Sequence, residues 1–389
     1  MSGAPDDSTP FLADDLLEAI RGRASGHDAE NRFPHEDLAD LRDAGYLRAL
    51  VPTPLGGAGL TLEQLTREQM RLAAAAPATA LAVNMHHVWV GVARALHASG
   101  EHTTDFVLEE ASAGEVYAFG ISEPGNDLVL FGSRSAARPD GQGGFSFHGT
   151  KIFTSMSPVW TRLGTFGTDE TGDDGPHSVF GFVRRDGGGV DVKDDWDTLG
   201  MRASQSCTTV LDGAHAPADR VVRRIPPGPT TDPFVLGIFA NFEILLASVY
   251  TGIAQRALEL AREAVRRRRS ARAGDSPLAH DPDIRWQVAD AAIALDGIGP
   301  QITMAARDVD HGVDRGERWM PQLSALKSRA TETALHVVEQ AVRVAGGSAY
   351  FSSAELSRLY RDVLAGLFHP TSDRSLHASW ANLLLGPLP

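Results

Sequence analysis

Two neighbouring stretches decide the fold, Phe119-Gly-Ile-Ser-Glu-Pro-Gly-Asn-Asp127 and Gly149-Thr-Lys-Ile-Phe-Thr-Ser155. Both combine strand-forming residues with glycine, and the first adds a proline, so both are typical of strand ends that run into loops. They carry small hydroxyl groups on Ser122 and Ser155 and an aromatic ring on Phe153. Small polar groups beside an aromatic ring would suit a flavin ring, and the two stretches therefore predict a cofactor site.

Outward from these stretches the chain changes its pattern twice. Residues 11–113 show apolar residues at helix spacing, interrupted by the glycine-rich Leu55-Gly-Gly-Ala-Gly-Leu60. Residues 115–225 show short alternating runs separated by Gly, Asp and Pro, which predict a β domain. After Pro233 the helical pattern returns, and helices are expected over residues 239–269, 283–311 and 321–345, with a last one after Pro370.

The composition is that of an ordinary globular protein, with 389 residues of which 42% are hydrophobic and 22% are charged. No apolar run approaches the roughly 20 residues that span a bilayer. The first seven residues, Met1-Ser-Gly-Ala-Pro-Asp-Asp7, lack a basic segment followed by an apolar one. We therefore expect a soluble cytoplasmic protein without a membrane partner.

The charge and the cysteine content bear on which partners and metal sites the protein can have. The formal net charge of -14 disfavours attraction to nucleic acid and favours an enzyme that acts on a small molecule. The only cysteine, Cys207, cannot form an internal disulfide and excludes a cysteine-rich zinc module. No carboxylate or cysteine accompanies the His86-His87 pair at ligand spacing, so no metal site is predicted.

The two opening stretches resemble the "T-E-P-G" and "K-x-W/F-I/T-T/S" segments of the acyl-CoA dehydrogenase superfamily, and further segments match in the right order along nearly the whole chain. These are Leu199-Gly-Met-Arg-Ala-Ser204, Gly252-Ile-Ala-Gln-Arg-Ala-Leu258, Gly346-Gly347 and Arg358-Leu-Tyr-Arg-Asp362. The resemblance implies an α+β, mainly α fold with a helical N-terminal domain (residues 1–114), a central β-barrel (115–230) and a C-terminal four-helix bundle (231–389).

The resemblance also implies an FAD-dependent oxidoreductase, with FMN allowed, that dehydrogenates an acyl thioester such as an acyl-CoA by hydride transfer to the flavin. Such a reaction needs a base for the α-proton. Matching the threonine of the family's "Y-E-G-T" motif to Thr371 puts His369 in the place of the catalytic Glu, whereas counting without a gap puts Pro370 there. The second place that the family uses falls on Phe242, with Glu243 one residue on. Neither place holds a carboxylate, and His369 and Glu243 stay open as candidate bases.

Two alternatives follow from the missing carboxylate. The first places the chain in the branch of this fold whose members are monooxygenases that use reduced flavin and oxygen and abstract no α-proton, although the whole-chain match favours the dehydrogenase. In that branch His86 and His87 become candidate substrate-binding residues, because the corresponding helix lines the substrate side of the flavin. Phe242 is a further candidate for substrate binding. The second alternative is a non-catalytic scaffold without flavin.

The resemblance further implies contacts to the rest of the cofactor. Arg268 matches the arginine of "R-x-x-F-G", which reaches the FAD pyrophosphate, often across a subunit interface, although Ala271-Arg272 replaces the Phe-Gly pair. Arg343 replaces a glutamine of the family's "Q-x-x-G-G", Gly346 and Gly347 allow close backbone approach to a ligand, and Thr371 keeps the hydroxyl of the threonine motif. A homodimer or homotetramer is implied, and the electron acceptor and the substrate stay open.

Overall fold

The computed structural model describes residues 10–388. The first seven residues, from which we expect a protein that is not exported, lie outside the described part of the chain.

The first third is helical, as the pattern predicts. Helix α3 shows how a local signal sets a boundary, because the Thr61 hydroxyl accepts from the Gln64 amide while the Gln64 side chain accepts from the Thr61 amide. Helix α4 begins at Pro77, which needs no amide partner at a first position. The helices are α1 (Asp14–Glu30), α2 (His35–Asp43), α3 (Leu62–Ala75), α4 (Pro77–Ala98) and α5 (Asp105–Ser112).

The middle of the chain forms one eight-stranded sheet with the order β6-β7-β3-β2-β4-β5-β8, and β1 pairs in parallel with β4. The central β domain is therefore present, and its hydrogen-bonded path runs from β6 to β8 without joining those two strands. The strands are β1 (Tyr117–Gly120), β2 (Ala136–Pro139), β3 (Phe145–Lys151), β4 (Arg162–Asp169), β5 (His177–Arg184), β6 (Val190–Val192), β7 (Thr209–Ala216) and β8 (Val221–Ile225).

The last third is helical again, with two boundaries that differ from the prediction. Helix α6 begins at Pro233 because the Asp232 carboxylate accepts from the Phe234 amide at 2.9 Å. The helix expected over residues 283–311 is two helices, since Pro300 cannot donate to the preceding turn. The helices are α6 (Pro233–Arg267), α7 (Pro282–Asp296), α8 (Gly299–Asp310), α9 (Trp319–Ala345), α10 (Glu355–Val363) and α11 (Asp373–Leu385).

Helix α6 is the central element of the C-terminal domain and packs on α3, α4 and α9. By length and composition it is the one helix of residues 10–388 that would suit a membrane span, but 78% of its most apolar window is buried inside the protein. Its apolar surface is thus covered by neighbouring helices, as expected for a core helix.

Close backbone contact joins the β domain to the C-terminal helices. Asp362 at the end of α10 accepts a hydrogen bond from the Met201 amide at 2.6 Å. A Cβ atom at Gly200 would lie 2.1 Å from the main-chain oxygen of Arg361, so only glycine permits this approach. The contact brings segment 196–201 and the end of α10 together at the wall of one cavity.

Candidate functional site

A cavity of about 290 Å³ lies where the three regions of the chain meet. Its walls are mostly apolar and come from α4, the loops after β1 and β3, segment 196–206, α6 and segment 361–370. The lining includes Met85, Phe119, Ser122, Phe153, Ser155, Trp196, Ser206, Phe242, Arg361, Phe368 and His369. Its size is at the lower end of the range for small-molecule sites, about 300–1,000 Å³.

The structure brings the two opening stretches together at this cavity. The Ile152 amide donates to the main-chain oxygen of Ser122 at 2.9 Å, which joins the two loops. The Phe153 ring is 51% exposed and meets Trp196 edge to face, with 6.1 Å between ring centroids. The hydroxyl groups of Ser155 and Ser206 lie 2.8 Å apart. Ser122, Phe153 and Ser155 therefore share one wall, as their predicted role requires.

A buried ion pair supports these loops from behind. Nζ of Lys151 lies 2.6 Å from Oε1 of Glu123, and both side chains are buried. Burial alone would raise the pKa of Glu123, but the charge of Lys151 and the hydrogen bonds from Ser133 and Arg134 lower it to about 2. Burial lowers the pKa of Lys151 to about 8, against the pull of Glu123. The Glu and Lys of the two motifs are thus structural partners of each other.

His369 lies in the cavity wall. Phe242 also lines the cavity and stacks on Phe119, with 5.2 Å between ring centroids. Nε2 of His369 lies 2.8 Å from the hydroxyl group of the buried Tyr250. Burial, reinforced by the charge of Lys327, lowers the pKa of His369 to about 3. The imidazole is therefore neutral at pH 7.

Glu243 lies behind the wall and does not line the cavity. Its Oε1 accepts from the Thr371 hydroxyl at 2.7 Å and from the Ser324 hydroxyl at 3.4 Å, and its Oε2 has no partner among residues 10–388. Burial raises the pKa of Glu243 to about 7, although the hydrogen bond from Thr371 opposes the shift. The Thr371 hydroxyl, predicted to meet the cofactor, is instead directed at Glu243.

Lys327 on α9 is a site residue that no motif indicated. Its Nζ donates to the main-chain oxygens of Gly366 at 3.0 Å, His369 at 2.8 Å and Thr371 at 3.4 Å. Burial lowers its pKa, and Glu243 opposes that shift. One buried ammonium group therefore fixes the segment that presents His369 and Phe368 to the cavity.

The residues predicted to hold the cofactor phosphates form a separate group at the end of α9, outside the cavity. Nη1 of Arg268 donates to the main-chain oxygen of Val344 at 2.8 Å, and a Cβ atom at Gly346 would lie 2.7 Å from Nη1. Gly347 is exposed beside them. Arg343 is exposed as well and pairs with Glu339, with 3.1 Å between Nε and Oε1.

The structure places His86 and His87 away from the cavity, although the sequence predicts that they bind substrate. Met85 occupies the cavity-facing position of α4, and each following residue is turned by about 100° around the helix. Nε2 of His86 lies 2.6 Å from the main-chain oxygen of Leu47, and its Nδ1 accepts from the Tyr117 amide at 3.1 Å. Burial lowers the pKa of His86 to about 4 and that of His87 well below its usual value. Both are neutral core residues.

His97, His102 and Asp105 form another polar cluster, at the junction of α4 and α5. Their potential ligand atoms lie within 4.8 Å of one another. Each imidazole Nδ1 meets one oxygen of the Asp105 carboxylate, at 2.9 Å for His97 and 2.8 Å for His102. These hydrogen bonds account for the cluster without a metal.

The residues of the cavity fit a flavin ring. Phe153 offers an exposed aromatic face, Ser122 and Ser155 offer hydroxyl groups, and the neighbouring Thr154 has a buried hydroxyl without a partner among residues 10–388. Flavin bound at this wall would be held by Ser122, Phe153 and Ser155 and would supply the redox chemistry of the site.

Comparisons with known proteins give the same assignment. Residues 13–113 match the family model "Acyl-CoA dehydrogenase, N-terminal domain" and residues 244–374 match "Acyl-CoA dehydrogenase, C-terminal domain". The chain is 32% identical over 366 residues to L-evernosamine nitrososynthase of a Micromonospora species, which covers 91% of this chain and 84% of that protein. It is 26% identical over 388 residues to dibenzothiophene monooxygenase of Rhodococcus qingshengii, covering 94% and 90% of the two chains.

Among solved structures, KijD3 in complex with FMN and dTDP-3-amino-2,3,6-trideoxy-4-keto-3-methyl-D-glucose superposes with a TM-score of 0.85. The two sequences are 27% identical, and the superposition covers 99% of this chain and 98% of KijD3. The motifs, the fold and the relatives agree, and the chain belongs to the acyl-CoA dehydrogenase superfamily of flavin-dependent oxidoreductases.

Proposed function

We propose that the protein is a flavin-dependent monooxygenase, which uses reduced flavin and oxygen to oxidise a small molecule. The observation that carries this proposal is the chemistry of the cavity wall. No Asp or Glu side chain lines the cavity within residues 10–388, whereas dehydrogenation of an acyl thioester needs a base beside the α-carbon.

The two candidate bases are poorly suited to α-proton abstraction. Nε2 of His369 is occupied by Tyr250, and the pKa of His369 is lowered to about 3, so the ring is a weak base. Glu243 does not line the cavity, and its Oε1 accepts a hydrogen bond from the Thr371 hydroxyl. Neither group is therefore a strong base that faces the cavity.

An oxygenase makes different demands, which this cavity meets. Bound reduced flavin would supply two electrons to oxygen, so that one oxygen atom enters the substrate and the other leaves as water. The apolar residues Met85, Phe119 and Phe242 exclude bulk water from this reaction. The Ser155–Ser206 pair and His369 supply the polar contacts that orient the reacting groups.

For the substrate we propose an amine, with nucleotide-linked amino sugars as the favoured class. Oxidation of an amine requires the free lone pair of its nitrogen. An apolar cavity without a carboxylate disfavours the ammonium form, because burial penalises charge. The support from relatives is the nitrososynthase, whose name describes conversion to a nitroso compound, and the dTDP-amino sugar bound to KijD3.

For the cofactor we propose FMN in preference to FAD. KijD3 binds FMN in a fold of the same shape. In the present chain Arg268, which follows α6, donates to the main-chain oxygen of Val344 on α9, and Arg343 is paired with Glu339. Both arginines therefore have partners within the chain, which favours a cofactor without a second phosphate. We also propose that the protein is a cytoplasmic homodimer or homotetramer. The exposed apolar side chains of Trp286 and Ile293 on α7 support the assembly.

One observation favours acyl-thioester dehydrogenation as a second candidate. Burial raises the pKa of Glu243 to about 7, which suits a general base, and its Oε2 has no partner in the described part of the chain. This function would require the side chain to turn past Thr371 into the cavity.

One pair of measurements separates the candidates. Protein loaded with oxidised flavin and mixed anaerobically with a panel of acyl-CoA thioesters should keep its flavin absorbance. The same protein supplied with reduced FMN, oxygen and a dTDP-3-amino sugar should give a product whose mass has increased by oxygen. Anaerobic bleaching by any acyl-CoA would transfer the assignment to the dehydrogenase, and failure to bind FMN or FAD in either redox state would favour the scaffold.

A further inference from the structure

Tyr250 and His369 form a hydrogen-bonded pair that links α6 to the cavity wall. The phenol is fully buried, and its hydroxyl has one hydrogen-bond partner among residues 10–388, Nε2 of His369 at 2.8 Å. His369 itself lines the cavity, and its second ring nitrogen, Nδ1, makes no hydrogen bond within the described residues.

The direction of this hydrogen bond follows from the surroundings. Burial raises the pKa of Tyr250 well above its usual value, so the phenol keeps its proton. That proton has a single acceptor within reach, the lone pair on Nε2. The reverse arrangement, with Nε2–H donating to the phenol oxygen, would leave a buried O–H without an acceptor, which is the costlier choice. Tyr250 is therefore the donor and Nε2 the acceptor.

The pair is held in register from both sides. Lys327 donates to the main-chain oxygens of Gly366 and His369 and so fixes the backbone that carries the imidazole. A Cβ atom at Gly366 would lie 2.9 Å from Cε1 of Tyr250, which shows how closely the segment is pressed against the phenol ring. The backbone that carries His369 is therefore held closely against the Tyr250 ring.

We propose that Tyr250 is a positioning residue that fixes the tautomer of His369, holding the single proton of the neutral imidazole on Nδ1. His369 then offers the cavity a hydrogen-bond donor and no free lone pair. The role of this donor in the reaction rests on the proposed monooxygenase function, in which a donor in the cavity wall orients an oxygen-bearing group. It assigns His369 the role of donor instead of base.

The test reads the tautomer directly and needs neither flavin nor activity. Protein labelled with ¹⁵N-histidine is studied at pH 7 by long-range ¹H–¹⁵N correlation, and the signals of His369 are identified by their loss in His369→Asn. We expect a protonated Nδ1 and an unprotonated Nε2 in the wild type. A proton on Nε2 in the wild type would overturn the proposal, whatever the variants do.

The variant Tyr250→Phe removes the donor and keeps the ring. We expect the proton of His369 to move to Nε2 or to exchange between the two nitrogens, and turnover with reduced flavin to fall with little change in KM. Tyr46→Phe is the control, because Tyr46 is an equally buried, hydrogen-bonded tyrosine that contacts Gln69. A tautomer that is unchanged in Tyr250→Phe contradicts the proposal. If the wild type has no oxygenase activity, the proposed function is wrong, but the result for the tautomer remains valid.

Discussion

Nζ of Lys151 lies 2.6 Å from Oε1 of Glu123, and this buried ion pair joins the end of β3 to the loop after β1. The same two segments carry Ser122, Phe153 and Ser155 to the cavity. The ion pair therefore determines the distance between the two loops that form the proposed flavin site. The first prediction concerns its contribution to stability.

Lys151→Met or Glu123→Gln should each destabilise the protein by about 3–5 kcal/mol, because each leaves an uncompensated polar or charged group in the core. The double variant should cost less than the sum of the two, since it leaves no isolated charge. Urea denaturation followed by circular dichroism measures all three. A single variant that costs less than about 1 kcal/mol would show that the pair is exposed to solvent in the folded protein.

The second prediction is a pH dependence of stability from Glu243. Its pKa in the folded state, about 7, lies above that of an unfolded Glu. At pH values between these two pKa values, the folded protein therefore binds one proton more than the unfolded protein. The contribution is therefore fully present below the unfolded pKa and is lost as the pH rises to about 7, with a total of about 3 kcal/mol. Denaturant unfolding between pH 4.5 and pH 8 should show this fall in the wild type.

Glu243→Gln should remove that pH dependence, because an amide does not titrate in this range. Glu259→Gln is the matched control, since Glu259 lies on the exposed side of the same helix and pairs with Arg256. Equal slopes for the wild type and Glu243→Gln would mean that Glu243 is ionised in the folded state throughout this range.

The third prediction concerns Phe153, whose ring is exposed in the cavity and contacts Trp196. Phe153→Ala should weaken flavin binding by about 0.5–1.5 kcal/mol, the usual contribution of an aromatic contact. It should change the free energy of unfolding of the flavin-free protein far less, because the ring is half exposed. Phe351→Ala, at an exposed position outside the cavity, is the control, and flavin titration by fluorescence quenching is the measurement. Equal affinity in both variants would exclude Phe153 from the flavin site.

How much of this site follows from the sequence depends on the distance over which each contact is made. The loops that carry Ser122, Phe153 and Ser155 could be predicted because each motif marks a strand end that runs into a loop. The strands β1 and β3 are not adjacent in the sheet, and the hydrogen bond from the Ile152 amide to the main-chain oxygen of Ser122 joins the two loops. Gly346 was predicted to allow the close approach of a ligand, whereas in the structure the Arg268 side chain makes that approach. Local spacing therefore predicted the two loops, and their contact with a cofactor stays a prediction.

The pair Tyr250–His369 could not be predicted, because its members are 119 residues apart and a tyrosine in an apolar helix gives no local signal. Lys327 is likewise an ordinary helix lysine until the turn that ends at Thr371 folds over it. The orientation of His86 and His87 was also beyond the sequence, since α4 is apolar on all sides and has no polar face to set its rotation. Contacts between distant elements decide all three.

The fourth prediction tests the cofactor. If FMN is the cofactor, Arg268→Ala should leave FMN affinity unchanged within about twofold, because the side chain donates to Val344 and no second phosphate is present. A contact to the second phosphate of FAD would cost about 1.5–3 kcal/mol on removal. Isothermal titration with FMN and FAD distinguishes the two, and Arg343→Ala serves as a control at a neighbouring exposed arginine. Selective loss of FAD affinity in Arg268→Ala would restore FAD as the cofactor.

The last prediction concerns the wall that carries His369. A Cβ atom at Gly366 would lie 2.4 Å from Cγ2 of Thr331 and 2.9 Å from Cε1 of Tyr250, so Gly366→Ala must push the segment toward the cavity. We expect a loss of stability of about 1–3 kcal/mol from this overpacking and a fall in kcat/KM with reduced flavin and oxygen. Gly347→Ala is the control, because its Cβ atom would meet no atom within 4 Å. Thr331→Ser removes Cγ2 and keeps the hydroxyl that donates to Lys327, so adding it to Gly366→Ala should restore part of both losses. If the double variant is no more stable and no more active than Gly366→Ala, the contact with Tyr250 alone sets the position of the wall. If Gly366→Ala and Gly347→Ala lose stability and kcat/KM to the same extent, the packing around Gly366 does not control the cavity.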